Sequence, residues 1–123
     1  MDKAEYQSRL EELNSLVKKE DYEGALAVVE AVDWRRVKSL RTLGMVADVY
    51  EANKRYPEAK KILLMAYDRS SIGKGILYRL VEVSVKMKDF DEAIDFYNEF
   101  EAVARHDNSR YLLKLSLIHI SEP

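Results

Sequence analysis

The chain has 123 residues, of which 47% are hydrophobic and 34% charged, with two Pro, four Gly and no Cys. Twenty basic residues against 22 acidic ones give a formal charge of −2, without the basic stripe that nucleic-acid binding calls for. This composition excludes a disordered chain, a disulfide framework, thiolate metal ligation and a Cys nucleophile, and no apolar run nears the ~20 residues of a bilayer span.

The length is that of one domain. The N-terminus, MDKAEYQSRLEELNSL, is charged and periodic and lacks the apolar core of a signal peptide, so a cytoplasmic location is expected. Asp2 is placed to cap a first helix over about Lys3 to Lys19, whose face is Leu10, Leu13, Leu16 and Val17. Asp21 can cap a second, from Tyr22 to about Val32, with Tyr22, Ala25, Leu26, Val28, Val29 and Val32 apolar. Asp33 then reads as the cap of a third, with Trp34, Val37, Leu40, Leu43, Val46, Ala47 and Tyr50 at helical spacing up to about Asn53.

Pro57 suits the first turn of a fourth helix, where its missing N–H has no intrahelical partner, so that helix starts near Tyr56 and runs through Ala59, Ile62, Leu63 and Ala66. Asp68 to Ser71 reads as a break. Gly73 and Gly75 weaken the start of a fifth helix over Ile76, Leu77, Leu80, Val81, Val83 and Val85. Its valines make a strand the competing reading, but the alternation is not clean. Asp89 opens a sixth helix, with Glu92 three residues on as in a capping box. Phe90, Ala93, Ile94, Phe96, Tyr97 and Phe100 are expected on its buried side. Arg105 to Ser109 reads as a turn, and Asn108 or Ser109 as the cap of a seventh helix from Arg110.

A phrase recurs along this order: Tyr22-x-x-Ala25, Tyr56-x-x-Ala59 and Phe90-x-x-Ala93, each 34 residues from the next. Leu43, Leu77 and Tyr111 keep the same interval. A fixed period of this size marks stacked helical repeats. The aromatic is expected to fill the junction between hairpins, and the small alanine to let helix backbones approach.

The pattern resembles the tetratricopeptide repeat family. That family's aromatic, small and large apolar positions fall on Tyr22, Ala25 and Val29, on Tyr56, Ala59 and Leu63, and on Phe90, Ala93 and Tyr97. The resemblance covers about residues 1–114, with divergence at Leu13, Leu16, Val32, Val81, Ser84 and Phe100. It implies an all-α, right-handed αα-superhelix of three hairpins plus a truncated seventh helix. The expected repeats are about 3–33, 34–70 and 71–106, with a partial fourth from 108.

The resemblance also implies a concave face lined by the first helix of each pair. Its inward positions map to Gln7, Leu10, Asn14 and Lys18, to Arg41, Asp48 and Glu51, and to Tyr78, Glu82 and Lys86. Such a face could hold a peptide or partner helix. The family's carboxylate clamp would use positions occupied here by Leu10, Asn14, Met45, Gly75 and Arg79; without its lysines that mode is rejected.

The remaining chemistry is thin. His106-Asp107 reads as a capping or solvent-facing pair, the carboxylate clusters fall at helix starts and outer faces, and Gly73-x-Gly75 lacks the rest of a phosphate loop. Trp34 and Tyr6 could anchor an interface, or Trp34 could staple the first pair to the second. No catalytic, cofactor or metal site is expected. The function expected is a non-enzymatic module binding a protein or peptide, and the alternative is a regulatory repeat region of a longer protein. Nucleic acid and membrane are not expected partners; self-association through the truncated end is.

The last nine residues, LSLIHISEP, break the charge pattern and resemble the in-frame translation of a transposase adapter used in DNA library preparation. On that reading 115–123 is a non-native tail, and a longer solenoid is expected to continue past Lys114. The other reading is a short apolar strand.

Overall fold

A computed structural model describes residues 2–70 and 73–107. These form six α-helices: α1 (Lys3–Lys18), α2 (Tyr22–Glu30), α3 (Leu40–Ala52), α4 (Tyr56–Arg69), α5 (Lys74–Lys86) and α6 (Phe90–Asp107). No strand occurs among the described residues, so the valines of α5 are helical. The expected seventh helix and the residues from 108 onward, including the adapter-like tail, lie outside the described residues.

The chain divides into two compact units, Met1–Arg69 and Ser70–Pro123. In the first, α1 pairs with α2, α3 with α4, and α2 also packs on α3. In the second, α5 pairs with α6. Connections of a few residues leave each pair no arrangement but an antiparallel hairpin.

Each hairpin turn is made by one device. Glu20, Lys54 and Lys88 adopt left-handed backbone, with φ of 60°, 58° and 62°. The N–H of the next residue reaches back to close the preceding helix: Asp21 to the Leu16 carbonyl (2.9 Å), Arg55 to Tyr50 (2.8 Å) and Asp89 to Ser84 (2.9 Å). The left-handed residue itself bonds Val17, Glu51 or Val85. This is the Schellman arrangement, which satisfies carbonyls that a helix end would otherwise orphan. The 34-residue interval is therefore present in the backbone as well as in side-chain identity.

Helix starts follow the sequence in two of the hairpins. The Asp2 carboxylate accepts from the Glu5 N–H at 2.8 Å and that of Asp21 from the Gly24 N–H at 3.0 Å. A Cβ on Gly24 would stand 2.6 Å from the Asp21 carboxylate, so glycine makes room for the cap. Asp89 accepts from the Glu92 N–H at 3.3 Å.

Two expectations are overturned. Asp33 does not cap α3; Ser39 does, with its hydroxyl accepting from the Thr42 N–H at 3.2 Å. Residues 33–39 run outside any helix, because Trp34 turns inward and donates its indole N–H to the Val29 carbonyl at 2.8 Å. Second, the aromatic side of α6 is buried only in part, with Phe96 and Phe100 half-buried. Phe90, Ile94 and Tyr97 are 57%, 58% and 45% exposed, and Ala93 is the buried residue of that phrase. Among the described residues of its unit α6 packs on α5, and one helix covers only one strip of another's surface. Two smaller differences concern helix ends: α4 continues through Arg69 and α6 through Asp107, where a break and a turn were expected.

The cores are aliphatic. Leu13, Ala25, Val29, Leu43, Val46, Ala47, Val49 and Ala59 are wholly buried in the first unit, and Leu77, Leu80 and Val83 in the second. Each such leucine or valine contributes roughly 1.5–3 kcal/mol by leaving water. The two first-unit pairs are further joined by Asn53, whose amide donates both to the Val49 carbonyl (2.8 Å) and to the Tyr22 carbonyl at the start of α2 (2.9 Å).

Candidate functional site

Burial of one helix face leaves the opposite face for contacts with other molecules. On α1, Gln7, Asn14 and Lys18 are exposed and Leu10 is half-buried; three-, four- and seven-residue spacings put all four on one side. On α3, Arg41 and Asp48 are exposed opposite the buried Leu43 and Val46, and Glu51 is half-buried one turn on from the buried Ala47. On α5, Tyr78, Glu82 and Lys86 form an exposed row, four residues apart. The first two rows belong to one compact unit and the third to the other.

Tyr78 is the large aromatic of this set, 50% exposed and with its ring 5.7 Å from that of Phe100 on α6. Phe100 in turn meets Tyr97 at 6.2 Å. The Tyr97 hydroxyl is held by the Glu101 carboxylate one turn on, which pushes the phenol's pKa up. A half-exposed ring already packed against a neighbour can receive an apolar side chain with little loss of rotamer freedom. The repeat-defining residues have a different role. Ala25, Ala59 and Ala93 are buried, Tyr22 and Tyr56 half-buried, and Phe90 exposed.

A concave feature lies in the first unit, at residues expected to be helical. Residues 33–39 and the first turn of α1 enclose an open cleft of about 910 Å³. Its wall is held by contacts between distant parts of the chain. Trp34 meets Tyr6 of α1 edge-on, with ring centroids 6.3 Å apart and planes at 68°. The Arg69 guanidinium, at the end of α4, donates to the Arg35 carbonyl. Arg35 folds back on Asp33, with Nε–H and a terminal N–H on the carboxylate at 3.0 and 2.7 Å. That fork holds the Asp33 carboxyl far below the usual carboxylate range and raises the Arg35 guanidinium further. Arg36 adds to the effect through space.

Sequence reasoning missed this cleft because Trp34 and Val37 continue the apolar spacing of α3. One signal was available. Arg35, Arg36 and Lys38 would stand in the first turns of such a helix, where positive charge opposes the macrodipole. The segment's charge thus argues for a later helix start, and Ser39 supplies its cap.

Elsewhere in the first unit, Arg55 joins Glu58 at 2.8 Å and Glu30 at 3.3 Å, which raises its own pKa. Desolvation, and then the same two carboxylates, push the Tyr50 phenol upward. These pairs are about half exposed, so their contribution is structural and small. Among the described residues no group of three or more acids and histidines is placed to hold a metal, and no helix is long and apolar enough to cross a membrane.

No protein-family model and no curated protein sequence matches the chain. Its fold does have a solved counterpart. The chain is similar in structure to the MamA RS-1 ArsTM double mutant, a tetratricopeptide-repeat-like protein, at a TM-score of 0.69 over 85% of its own length. The identity is 18%, and the match spans 58% of that protein's chain. At that identity the likeness concerns the fold: all-helical, built of αα-hairpins of the tetratricopeptide-repeat kind.

Proposed function

We propose that the chain is a non-enzymatic interaction module that binds a peptide or partner helix through exposed helix rows, Gln7, Leu10, Asn14 and Lys18 with Arg41, Asp48 and Glu51 in the first unit, and Tyr78, Glu82 and Lys86 in the second. The observation that carries this reading is the division of labour within α1, α3 and α5. Each puts its apolar stripe into a hairpin core and leaves a mixed polar row outside, with the half-open Tyr78 ring as an anchor. The likeness to a tetratricopeptide-repeat-like protein supports it, since helical repeats of this kind serve as binding scaffolds. The domain comprises the repeats expected at about 3–33, 34–70 and 71–106, and it works in the cytoplasm without cofactor or metal.

The test is a selection of peptides from a random display library against the 123-residue chain, followed by amide chemical-shift mapping of the best binder. Shifts concentrated on the named rows of α1, α3 and α5 are expected. Tyr78→Ala should weaken binding by about tenfold, as removal of an aromatic anchor costs 1–2 kcal/mol. Shifts confined to α2, α4 and α6, or binding indifferent to Tyr78, would refute this reading.

A further inference from the structure

The segment leading into α3 carries more positive charge than its own folding uses. Arg35 is engaged by Asp33, and Asp2 by its cap on α1. Arg36, Lys38 and, across the cleft, Lys3 make no ion pair among the described residues. All three are exposed and line the cleft. Arg36 and Lys38 stand just ahead of the α3 N-terminus, and the first turn of α3 holds no acidic residue. Positive charge there opposes the helix dipole, so this placement weakens the helix it precedes. It also runs against the chain's overall charge of −2.

Asp2, Asp33, Arg35 and Ser39 are the other polar residues of the lining, and what remains is apolar or aromatic. Val32 is buried, Val37 and Tyr6 are half-buried, and the Tyr6 ring is fixed by Trp34. The volume of about 910 Å³ is at the upper end of pockets that accept a ligand, roughly 300–1,000 Å³. It is an open cleft and not an enclosed cavity, which suits a chain segment better than a small enclosed molecule.

We infer that this cleft docks an acidic peptide segment of a partner protein, its carboxylates on Lys3, Arg36 and Lys38 and one apolar side chain against Tyr6, Val32 and Val37. The site shares no residue with the rows proposed on α1, α3 and α5 and stands independently of them. Exposed cations act over about a Debye length, so affinity should fall steeply with salt. Each exposed charge pair is worth at most about fivefold in affinity.

The experiment is fluorescence anisotropy on the 123-residue chain, with a short labelled peptide rich in glutamate around one phenylalanine. Binding at low salt is expected, and the same peptide with glutamine for glutamate should bind at least about tenfold more weakly. Arg36→Glu combined with Lys38→Glu should reduce binding by about tenfold or more. Lys3→Glu should weaken it by about fivefold while leaving the melting temperature unchanged or raised, since an acid suits the first turn of α1. Tyr78→Ala should leave this peptide's binding unchanged. Four results would each overturn the inference: no binding at low salt, equal binding of the glutamine peptide, indifference to the Arg36 and Lys38 reversals, or tighter cleft binding of a single-stranded RNA oligonucleotide than of the peptide. Loss of peptide binding in Tyr78→Ala alone would move the site to the other face.

Discussion

Replacing Ala59 by leucine adds three carbons at a point where the structure leaves no accessible surface. Ala59 lies in the first part of α4, on the hairpin shared with α3, and its amide is bonded to the Arg55 carbonyl at 3.0 Å, which holds the backbone in place. Were there unfilled space, the extra carbons would stabilise the protein by roughly 0.8 kcal/mol each, about 2 kcal/mol in all. If the alanine is small because the helices touch there, the same carbons must displace a helix or leave their rotamer wells, at a cost of about 1–3 kcal/mol. The sign of the change separates the two cases. Trp34 is the chain's sole tryptophan and is buried in the first unit, so its fluorescence during urea unfolding reports on the unit that holds Ala59. A loss of about 2 kcal/mol corresponds to a fall in melting temperature of roughly 8–16 °C for a domain of this size. Ala52→Leu, at an exposed site on α3, should stay within about 0.5 kcal/mol. A midpoint for Ala59→Leu that is unchanged or higher would refute the close-contact argument.

Further outcomes follow from single atoms. Trp34→Phe keeps most of the ring but leaves the Val29 carbonyl without its indole donor, and should cost about 1–3 kcal/mol in urea unfolding. Ser84→Ala should be neutral or stabilise the second unit by about 1 kcal/mol, because the Ser84 hydroxyl is fully buried with no hydrogen-bond partner among the described residues; circular-dichroism melts would show it. Lys54→Gly should raise the melting temperature slightly, by up to about 1 kcal/mol of stability, since glycine holds a φ of 58° without strain. The Asp33 carboxyl is depressed in the folded state by Arg35, so its contribution is complete above the unfolded pKa of about 4 and is lost as pH falls below that. The difference in urea midpoint between the parent and Asp33→Asn should therefore be constant near neutrality and shrink in acid.

The period, the helical class and most helix starts were legible in the residues themselves. Asp2, Asp21 and Asp89 stand one position before an apolar periodic run, and a capping carboxylate acts within three residues, so local sequence is enough. Pro57 dated the start of α4 by the same local logic, and its helix begins at Tyr56. The rows on α1, α3 and α5 were implied by the family resemblance, and spacing alone tells only that the members of each row share a side of their helix. Whether any of them meets a partner is a property of the folded surface and of that partner.

What the tertiary structure decided is concentrated in two places. Trp34 and Val37 satisfy helical spacing, yet residues 33–39 stay out of α3. The interactions that hold them, the Trp34 indole on the Val29 carbonyl, the Tyr6 ring and the Arg69 guanidinium on the Arg35 carbonyl, span from five to 34 residues of sequence. Pattern within one segment carries no record of such partners, and the basic cleft is their by-product. The other place is α6. Phe90, Ile94 and Tyr97 have the spacing of a core face, but burial depends on what stands opposite, and among the described residues of its unit that is α5. Periodicity tells which residues share a side of a helix; the packing of neighbours decides which side is inside.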